Sequence, residues 1–301
     1  MIQTWLQDLP HDGIRLSVRA AGERGRPVLL FLHGFPEAAW IWDEMLLHFS
    51  RPEFGGYRCV APHLRGYADS SRPQDVRAYR PRHLVQDVLA LIDAECGPGA
   101  PLAALVAHDW GGAIAWNVAN QAPRRLSGLV ILNAPHPGAF LRELQHNPAQ
   151  QAASAYMNDL IAPGAAERLA QDDYAPLLQF FASPQPWLTP ELTERYRALW
   201  RQCLPSALQY YAASPLRPAR SDDPGAAGVS LPPEAWRIEV PTLLLWGQED
   251  HALLPALCEG LTPHVPDLAY VPIEGASHWL LHEVPERIRQ EISDWLPKRR
   301  Q

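Results

Sequence analysis

Residues 107–112, of sequence AHDWGG, constrain the fold of this chain most strongly, because they join a strand pattern directly to a helix pattern. Residues 102–107 form a continuous apolar run, which is typical of a strand buried on both faces of a parallel sheet. Residues 111–121 have the spacing of a helix. So sharp a reversal needs small residues that let the backbones approach, and the alanine and the two glycines supply them. The sequence therefore predicts a nucleophile elbow with Asp109 at its tip.

The residue at this tip is a carboxylic acid, which limits the chemistry that the turn can serve. A carboxylate is a poor agent for acyl transfer, but it can displace a leaving group at saturated carbon and form an ester that water must then cleave. An isolated aspartate before Trp110 and two glycines could also be no more than a helix N-cap. The buried-strand pattern in front of Asp109 favours the catalytic interpretation.

Strand and helix patterns alternate along most of the chain. Short apolar runs predict strands, and apolar residues at intervals of three and four predict helices with one buried face. The predicted strands cover residues 14–20, 28–32, 57–61, 102–107, 126–132, 242–246 and 268–273, and the predicted helices cover 38–49, 82–95, 111–121 and 285–295. This alternation predicts an α/β fold with a mostly parallel, doubly wound sheet.

The pattern changes after residue 137. Residues 138–214 have helical spacing and many aromatic side chains, and residues 215–233 are rich in Pro, Gly, Asp and Ser, as suits a return linker. We therefore expect a core domain of residues 1–137 and 234–301, interrupted by a helical cap. The cap would lie over the ends of the strands, where open parallel sheets bind ligands.

Composition excludes several classes of partner. The net charge of -7 argues against binding to nucleic acid or to an anionic membrane, because both require a basic surface. The four cysteines lie far apart with no C-x-x-C pair, as expected of free thiols in a reducing compartment. The N-terminus has no signal-peptide pattern, and no apolar run reaches the length of about 18 residues that a membrane span needs. We expect a cytoplasmic protein that acts on a small molecule.

A loop of sequence HGFP, at residues 33–36, follows a predicted strand. Loops at the carboxyl ends of parallel strands converge, so this loop should lie beside Asp109. Its turn could aim the backbone N–H of Phe35 at a developing oxyanion, and the N–H of Trp110 would be the second donor. The sequence thus predicts an oxyanion hole formed by Phe35 and Trp110.

Two later loops supply an acid and a base. Asp250 follows the strand predicted to end at residue 246 and could orient an imidazole, with its neighbour Glu249 as the alternative. His278 follows the last predicted strand and is the candidate general base. Asp109, Asp250 and His278 stand in the chain order of a nucleophile, acid and histidine triad.

Four segments taken together resemble those of one enzyme family. They have the sequences HGFP, HDWGG, NAPHP and SHW, at residues 33–36, 108–112, 133–137 and 277–279. On these segments the chain resembles the α/β-hydrolases with a cap and, within that fold, the epoxide hydrolases. The family usually has glycine where Ala107 stands, and alanine still meets the need for a small residue.

The resemblance also implies roles for two tyrosines of the cap. Members of the family use such tyrosines to hydrogen-bond the epoxide oxygen. The first follows the PHP loop in an S-x-Y segment, and the second ends a tyrosine pair that an asparagine usually precedes. These segments match SAY at 154–156 and LQYY at 208–211, where Gln209 replaces the asparagine. The resemblance therefore assigns the roles to Tyr156 and Tyr211.

The implied reaction is the hydrolysis of an epoxide to a vicinal diol through an ester on Asp109, with no metal and no organic cofactor. His278 and His282 are four residues apart, but the acidic partner of a zinc-binding H-E-x-x-H helix is missing. The aromatic cap suggests an apolar epoxide. Trp110, Phe35 and Pro36 are expected to contact it, and His136 either borders the site or holds its own loop by hydrogen bonds.

Two other functions stay open at this point. Haloalkane and haloacetate dehalogenases use the same nucleophile, but the former typically carry asparagine where Phe35 stands and the latter arginine where Trp110 stands. A non-catalytic ligand-binding module on the same fold is the second alternative. A serine esterase is disfavoured because Asp109, and not a serine, occupies the elbow.

Overall fold

The computed structural model describes residues 1–181 and 185–296. Its core is an eight-stranded sheet, whose strands β1 to β8 are Gln3–Asp8, Arg15–Ala21, Val28–Leu32, Arg58–Pro62, Ala104–His108, Leu129–Leu132, Thr242–Gly247 and Leu268–Ile273. They lie in the order β1-β2-β4-β3-β5-β6-β7-β8. The pairs β1 with β2 and β2 with β4 are antiparallel, and the other neighbours are parallel. The predicted α/β class is confirmed. The end of the expected core domain, residues 297–301, and part of the expected cap, residues 182–184, lie outside the described residues.

Helices α1 to α12 are Asp43–Phe49, Pro81–Cys96, Asp109–Gln121, Pro137–His146, Pro148–Ala153, Tyr156–Leu160, Ala165–Leu169, Gln171–Leu178, Pro190–Ala207, Gln209–Ala213, Leu280–Glu283 and Pro285–Trp295. Short 3-10 turns occur at Ala39–Trp42, Pro52–Phe54, Val76–Tyr79, Pro123–Arg125, Gln179–Phe181, Gly225–Gly228, Pro233–Trp236 and Pro255–Cys258. Helices α4 to α10 follow β6 and precede β7, and we call residues 137–213 the helical segment. In the described part of the chain, no helix combines the length and the apolar character that a membrane crossing requires.

Alternate residues of the central strands enter two separate hydrophobic cores. On β5, Leu105 and Ala107 belong to one core, while Ala104 and Val106 belong to the other. Helices α2 and α3 contribute to the first core, and α1 and α12 contribute to the second. Because helices cover both faces, every residue of β3 to β7 is buried. This double burial explains the continuous apolar runs in the sequence.

Strand β1 was not predicted. Its sequence QTWLQD is largely polar, and it forms the half-exposed edge of the sheet. The Trp5 ring lies 5.7 Å from the guanidinium carbon of Arg24 and 5.4 Å from that of Arg58. These contacts join residues far apart in sequence, so the local pattern gave no signal of a strand.

Two predicted elements are shorter than expected. The strand predicted at 126–132 begins at Leu129, and Leu126 forms only an isolated bridge with Leu102. The helix predicted at 38–49 begins as a 3-10 turn and becomes α-helical at Asp43. In both places the apolar pattern covers more residues than the regular hydrogen bonding of the strand or α-helix does.

Candidate active site

Asp109 occupies the turn between β5 and α3 in a strained backbone conformation. Its φ of +50° lies in the left-handed region, which costs a non-glycine residue about 1 kcal/mol or more. The turn leaves no room for side chains beside it. A Cβ at Gly34 would lie 2.1 Å from the Asp109 Oδ1 atom, and a Cβ at Gly111 would lie 2.4 Å from the Leu32 carbonyl oxygen. The two glycines therefore allow the loop after β3 to pack directly against the aspartate.

The two carboxylate oxygens of Asp109 face different partners. Oδ1 accepts a hydrogen bond from the Phe35 backbone N–H at 2.6 Å, and Oδ2 lies 3.7 Å from Nε2 of His278. Burial raises the pKa of Asp109 above its ordinary value, although His278 and the N–H groups of Trp110 and Phe35 oppose the increase. The same two N–H groups thus stabilise negative charge at this carboxyl group.

His278 is held by Asp250, as the sequence predicts. Its Nδ1 lies 2.7 Å from the Asp250 Oδ2 atom, whereas Glu249 is not hydrogen-bonded to it. The Asp250 Oδ1 atom accepts the backbone N–H groups of Ala252 and Leu253 at 2.9 and 2.8 Å. Burial raises the pKa of Asp250, but His278 and the Leu253 N–H bring it below the ordinary value. Burial lowers the pKa of His278, but Asp250 and Asp109 together raise it to about 9.

Asn133 fixes Asp250 from the neighbouring strand, a role that the sequence did not reveal. It follows β6 with a φ of +37°. Its Nδ2 donates to the Asp250 Oδ2 atom at 2.7 Å, and its Oδ1 accepts the Gly247 N–H at 2.8 Å. The asparagine lies in the NAPHP segment, so the motif was visible in the sequence, but nothing there indicated its partner.

A second buried hydrogen-bond network, which the sequence also did not reveal, lies next to His278. Glu37 is fully buried, and its Oε1 accepts the Tyr196 hydroxyl and Nε2 of His282, each at 2.6 Å. Burial raises the pKa of Glu37, but the charge and hydrogen bond of His282, together with His108 and Tyr196, lower it to about 2. The His108 ring lies 3.7 Å from the other Glu37 oxygen and donates from Nε2 to the His278 carbonyl oxygen at 2.9 Å. His282 is therefore part of a carboxylate network, and the described residues contain no cluster suited to a metal ion.

Tyr156 and Tyr211 approach Asp109 from the helical segment. Tyr211, on α10, packs edge-on against Phe35 and Trp110 with centroid distances of 5.2 and 5.0 Å. Tyr156, at the start of α6, packs edge-on against Phe180 at 5.7 Å and against Tyr211 at 6.2 Å. Burial raises the pKa of both tyrosines above the ordinary value. Both hydroxyls are therefore protonated at neutral pH and able to donate.

Two cavities meet at Asp109, Tyr156 and Tyr211, which line both of them. The wide cavity, of about 860 Å³, lies on the side of His278 and is also lined by Phe35. The apolar cavity, of about 300 Å³, lies on the side of Trp110. The three residues thus stand at the junction of two spaces of different character.

Two residues expected at the substrate line neither cavity. Pro36 follows a cis peptide bond, and its carbonyl oxygen accepts the Trp200 indole N–H at 2.7 Å. His136 donates from Nε2 to the Trp236 carbonyl oxygen at 2.8 Å and accepts the Gly138 N–H at 3.2 Å. Of the two roles left open for His136, these contacts match the hydrogen bonding of its own loop.

The sheet order and the turn at Asp109 define an α/β-hydrolase, and the family model described as the alpha/beta hydrolase fold matches residues 27–285. Several relatives match nearly the whole chain. The AB hydrolase superfamily protein YfhM of Bacillus subtilis is 33% identical over 290 residues, which cover 95% of each chain. Mouse epoxide hydrolase 4 is 33% identical over 91% of this chain and 74% of its own. Epoxide hydrolase 3 of Xenopus tropicalis is 34% identical over 95% and 75%.

Solved structures give the same result. The epoxide hydrolase of Bacillus megaterium with a bound inhibitor superposes with a TM-score of 0.86 at 27% identity, over 97% of this chain and all of that one. A structure from work on novel epoxide hydrolases in metagenomes of hot environments has a TM-score of 0.84 at 34% identity, over 98% and 99%. The chain belongs to the epoxide hydrolases of the α/β-hydrolase fold, which are hydrolases acting on ether bonds. The predicted fold and enzyme class are confirmed.

Proposed function

We propose that the protein hydrolyses an apolar epoxide to a vicinal diol through a covalent ester on Asp109. One observation carries the proposal. Asp109 stands between a base, His278, 3.7 Å behind it, and two protonated tyrosines that share its cavities. A nucleophile, a proton donor and a water-activating base are what the opening of an epoxide by a carboxylate requires.

In the first half-reaction, an Asp109 carboxylate oxygen attacks a carbon of the epoxide ring. The ring C–O bond breaks, and the leaving oxygen takes a proton from Tyr156 or Tyr211. The alkoxide is thereby quenched as it forms, and the second tyrosine stabilises the remaining phenolate charge by hydrogen bonding. The product is a hydroxyalkyl ester of Asp109 and one tyrosinate.

In the second half-reaction, neutral His278 takes a proton from water, and the resulting hydroxide attacks the carboxyl carbon of Asp109. The backbone N–H groups of Phe35 and Trp110 stabilise the oxyanion. Collapse releases the diol and the Asp109 carboxylate, and the proton on His278 replaces the one that the tyrosine gave up. Asp250 orients the imidazole and stabilises its charged form.

Formation of the ester also prepares the base. The negative charge of Asp109 is one of the groups that raise the pKa of His278. Esterification removes that charge from Asp109, and the reaction leaves it on a tyrosine instead, so Asp109 no longer raises the pKa of His278. The histidine then loses its proton more readily at the step that needs a neutral imidazole.

The helical segment supplies the tyrosines, and we propose that it acts as the cap. The proposed division is a core of residues 1–137 and 234–301, a cap of residues 138–214 and a linker of residues 215–233. The apolar cavity supports an apolar substrate, since its lining includes Ile114, Phe140 and Met157.

A single-turnover experiment tests this mechanism. Enzyme in excess is mixed with styrene oxide in ¹⁸O-water, and the diol and the Asp109 peptide are analysed by mass spectrometry. The ester route predicts an unlabelled diol on the first turnover and label in Asp109, because the diol oxygen comes from the carboxylate. Label entering the diol directly would exclude Asp109 as the nucleophile. If no diol forms, haloalkanes and haloacetates are the next substrates to assay, and binding without turnover would indicate a ligand-binding module.

A further inference from the structure

One face of α3 forms a wall of the apolar cavity. Trp110, Ala113, Ile114 and Asn117 all line it, and their spacing of three, one and three residues places them on the same side of the helix. Three of the four are apolar. Asn117 is the exception, and it lies eight residues after Asp109, about 12 Å further along the helix axis.

The Asn117 side chain has unused hydrogen-bonding capacity inside this cavity. It is only 8% exposed. Its Nδ2 donates to the Ala113 carbonyl oxygen at 2.8 Å, and no described residue donates to its Oδ1. This oxygen is not closed off from solvent, so it is open to the cavity. Asn117 therefore presents a free hydrogen-bond acceptor on a helix face that is otherwise apolar.

The Trp236 side chain lines the same cavity, with its polar atom buried in the wall. The indole Nε1 of Trp236 is buried and has no hydrogen-bond partner among the described residues. Its loop is tied to α3 one turn beyond Asn117, because Nδ2 of Asn120 donates to the carbonyl oxygens of Ala235 and Arg237 at 3.0 and 3.3 Å. The cavity thus contains an acceptor from α3, and a buried donor lies in the wall that this loop forms.

On the basis of the proposed function, we infer that Asn117 is a specificity-determining residue that binds a hydroxyl group at the far end of an otherwise apolar epoxide substituent. A hydroxyl group is a small group that can donate a hydrogen bond to the Asn117 Oδ1 atom. The apolar stem would lie along Ala113 and Ile114. The substrate class is then epoxides with a long apolar arm that ends in a hydroxyl group.

Two matched series of terminal alkyl epoxides test the inference. One series ends in a methyl group and the other in a hydroxyl group, and kcat/KM is measured for each chain length. At the length that reaches Asn117, we expect the hydroxyl series to be favoured by about three- to tenfold, the size of one neutral hydrogen bond. Asn117→Leu, which keeps the branched shape and removes the polar atoms, should abolish this preference. Gln179→Leu is the control, because it removes an amide that lines only the wide cavity, and it should keep the preference.

The other outcomes are also decisive. If the wild-type enzyme shows no preference at any length, or if Asn117→Leu keeps it, the inference is wrong. Should Asn117→Leu fail to fold, Asn117→Gln replaces it, and its longer side chain should move the optimum to a shorter substrate. An unmoved optimum contradicts the inference. Styrene oxide separates the two proposals, since its hydrolysis without any chain-end preference overturns only this one, and the absence of diol from every epoxide overturns both.

Discussion

The groups on the two sides of Asp109 are held in place by different forces. On the sheet side, His278, Asp250 and Asn133 form a line of side-chain hydrogen bonds of 2.7 Å between loops that follow three different strands. On the side of the helical segment, Tyr156 and Tyr211 are positioned by edge-on packing of aromatic rings. Hydrogen bonds are directional, whereas ring packing tolerates small displacements. The base and its acid are thus held by directional hydrogen bonds, and the rings of the two proton donors are held by packing.

This difference predicts that substitutions of Asp109 and His278 stop turnover, while substitutions of the tyrosines on the side of the helical segment slow it. The largest effect is expected for Asp109→Ala. Because it removes the atom that bonds to substrate, kcat should fall by about 10⁴-fold or more. Steady-state diol formation measures the loss, and the melting temperature reports whether the variant is folded. A folded variant that retains a tenth of the activity would contradict the proposed role of Asp109.

His278→Gln should have an effect nearly as large but of a different kind. The first half-reaction does not need the base, so the ester should accumulate while its hydrolysis slows by about 10³- to 10⁴-fold. Intact-protein mass spectrometry should detect one substrate added per enzyme molecule. Digestion should then locate it on the peptide that contains Asp109. His146→Gln, at the end of α4, is the matched control and should turn over normally. Failure of any adduct to accumulate in folded His278→Gln would show that His278 acts before the ester forms.

Smaller effects are expected for the two tyrosines. Tyr156→Phe and Tyr211→Phe each leave one hydroxyl group, so each should slow the first half-reaction by about 10- to 100-fold, and the double variant should lose far more. Stopped-flow measurement of ester formation separates this step from hydrolysis. Tyr174→Phe is the control within the helical segment, because the Tyr174 ring packs on Trp200 away from both cavities. Equal rates in the double variant and the wild type would remove the tyrosines from the mechanism.

The pH dependence should give the smallest effect, at most tenfold per pH unit. Ester hydrolysis needs neutral His278, so its rate should rise with pH until the imidazole is deprotonated. In the resting enzyme the pKa of His278 is raised to about 9, but the ester lacks the charge of Asp109. The hydrolysis step should therefore titrate below pH 9. Single-turnover rates across pH check this, and a midpoint at or above 9 would mean that esterification does not release the base.

The difference between the two sides of Asp109 also explains which site residues the sequence could predict. Asp109, Asp250 and His278 each follow a buried strand, so a local pattern and chain order were enough to nominate them. Tyr156 and Tyr211 have no such local signal among the many aromatic residues of the helical segment, and only the resemblance to a family singled them out. Pro36 was expected to contact the substrate and His136 either to border the site or to hold its own loop, and both residues hydrogen-bond to tryptophans, Trp200 and Trp236.

The sequence could not predict hydrogen-bond partners that are far apart in the chain, for a further reason. Glu37 and His282 are hydrogen-bonded although they are 245 residues apart, and Asn133 reaches Asp250 across 117 residues. Neither residue of such a pair belongs to a periodic pattern or stands at a characteristic spacing from its partner. Their pairing follows from the convergence of strand ends, which becomes specific only once the sheet order is known.

Gly34 has a consequence for the history of this family. Any larger residue there would place a Cβ inside the Asp109 carboxylate, so a single codon change could silence the enzyme while leaving all three members of the Asp109, Asp250 and His278 set untouched. Descendants that keep the fold for another purpose can therefore lose catalysis at a position that a comparison of catalytic residues never inspects. When a new relative is sequenced, the residue equivalent to Gly34 should therefore be inspected beside those three positions.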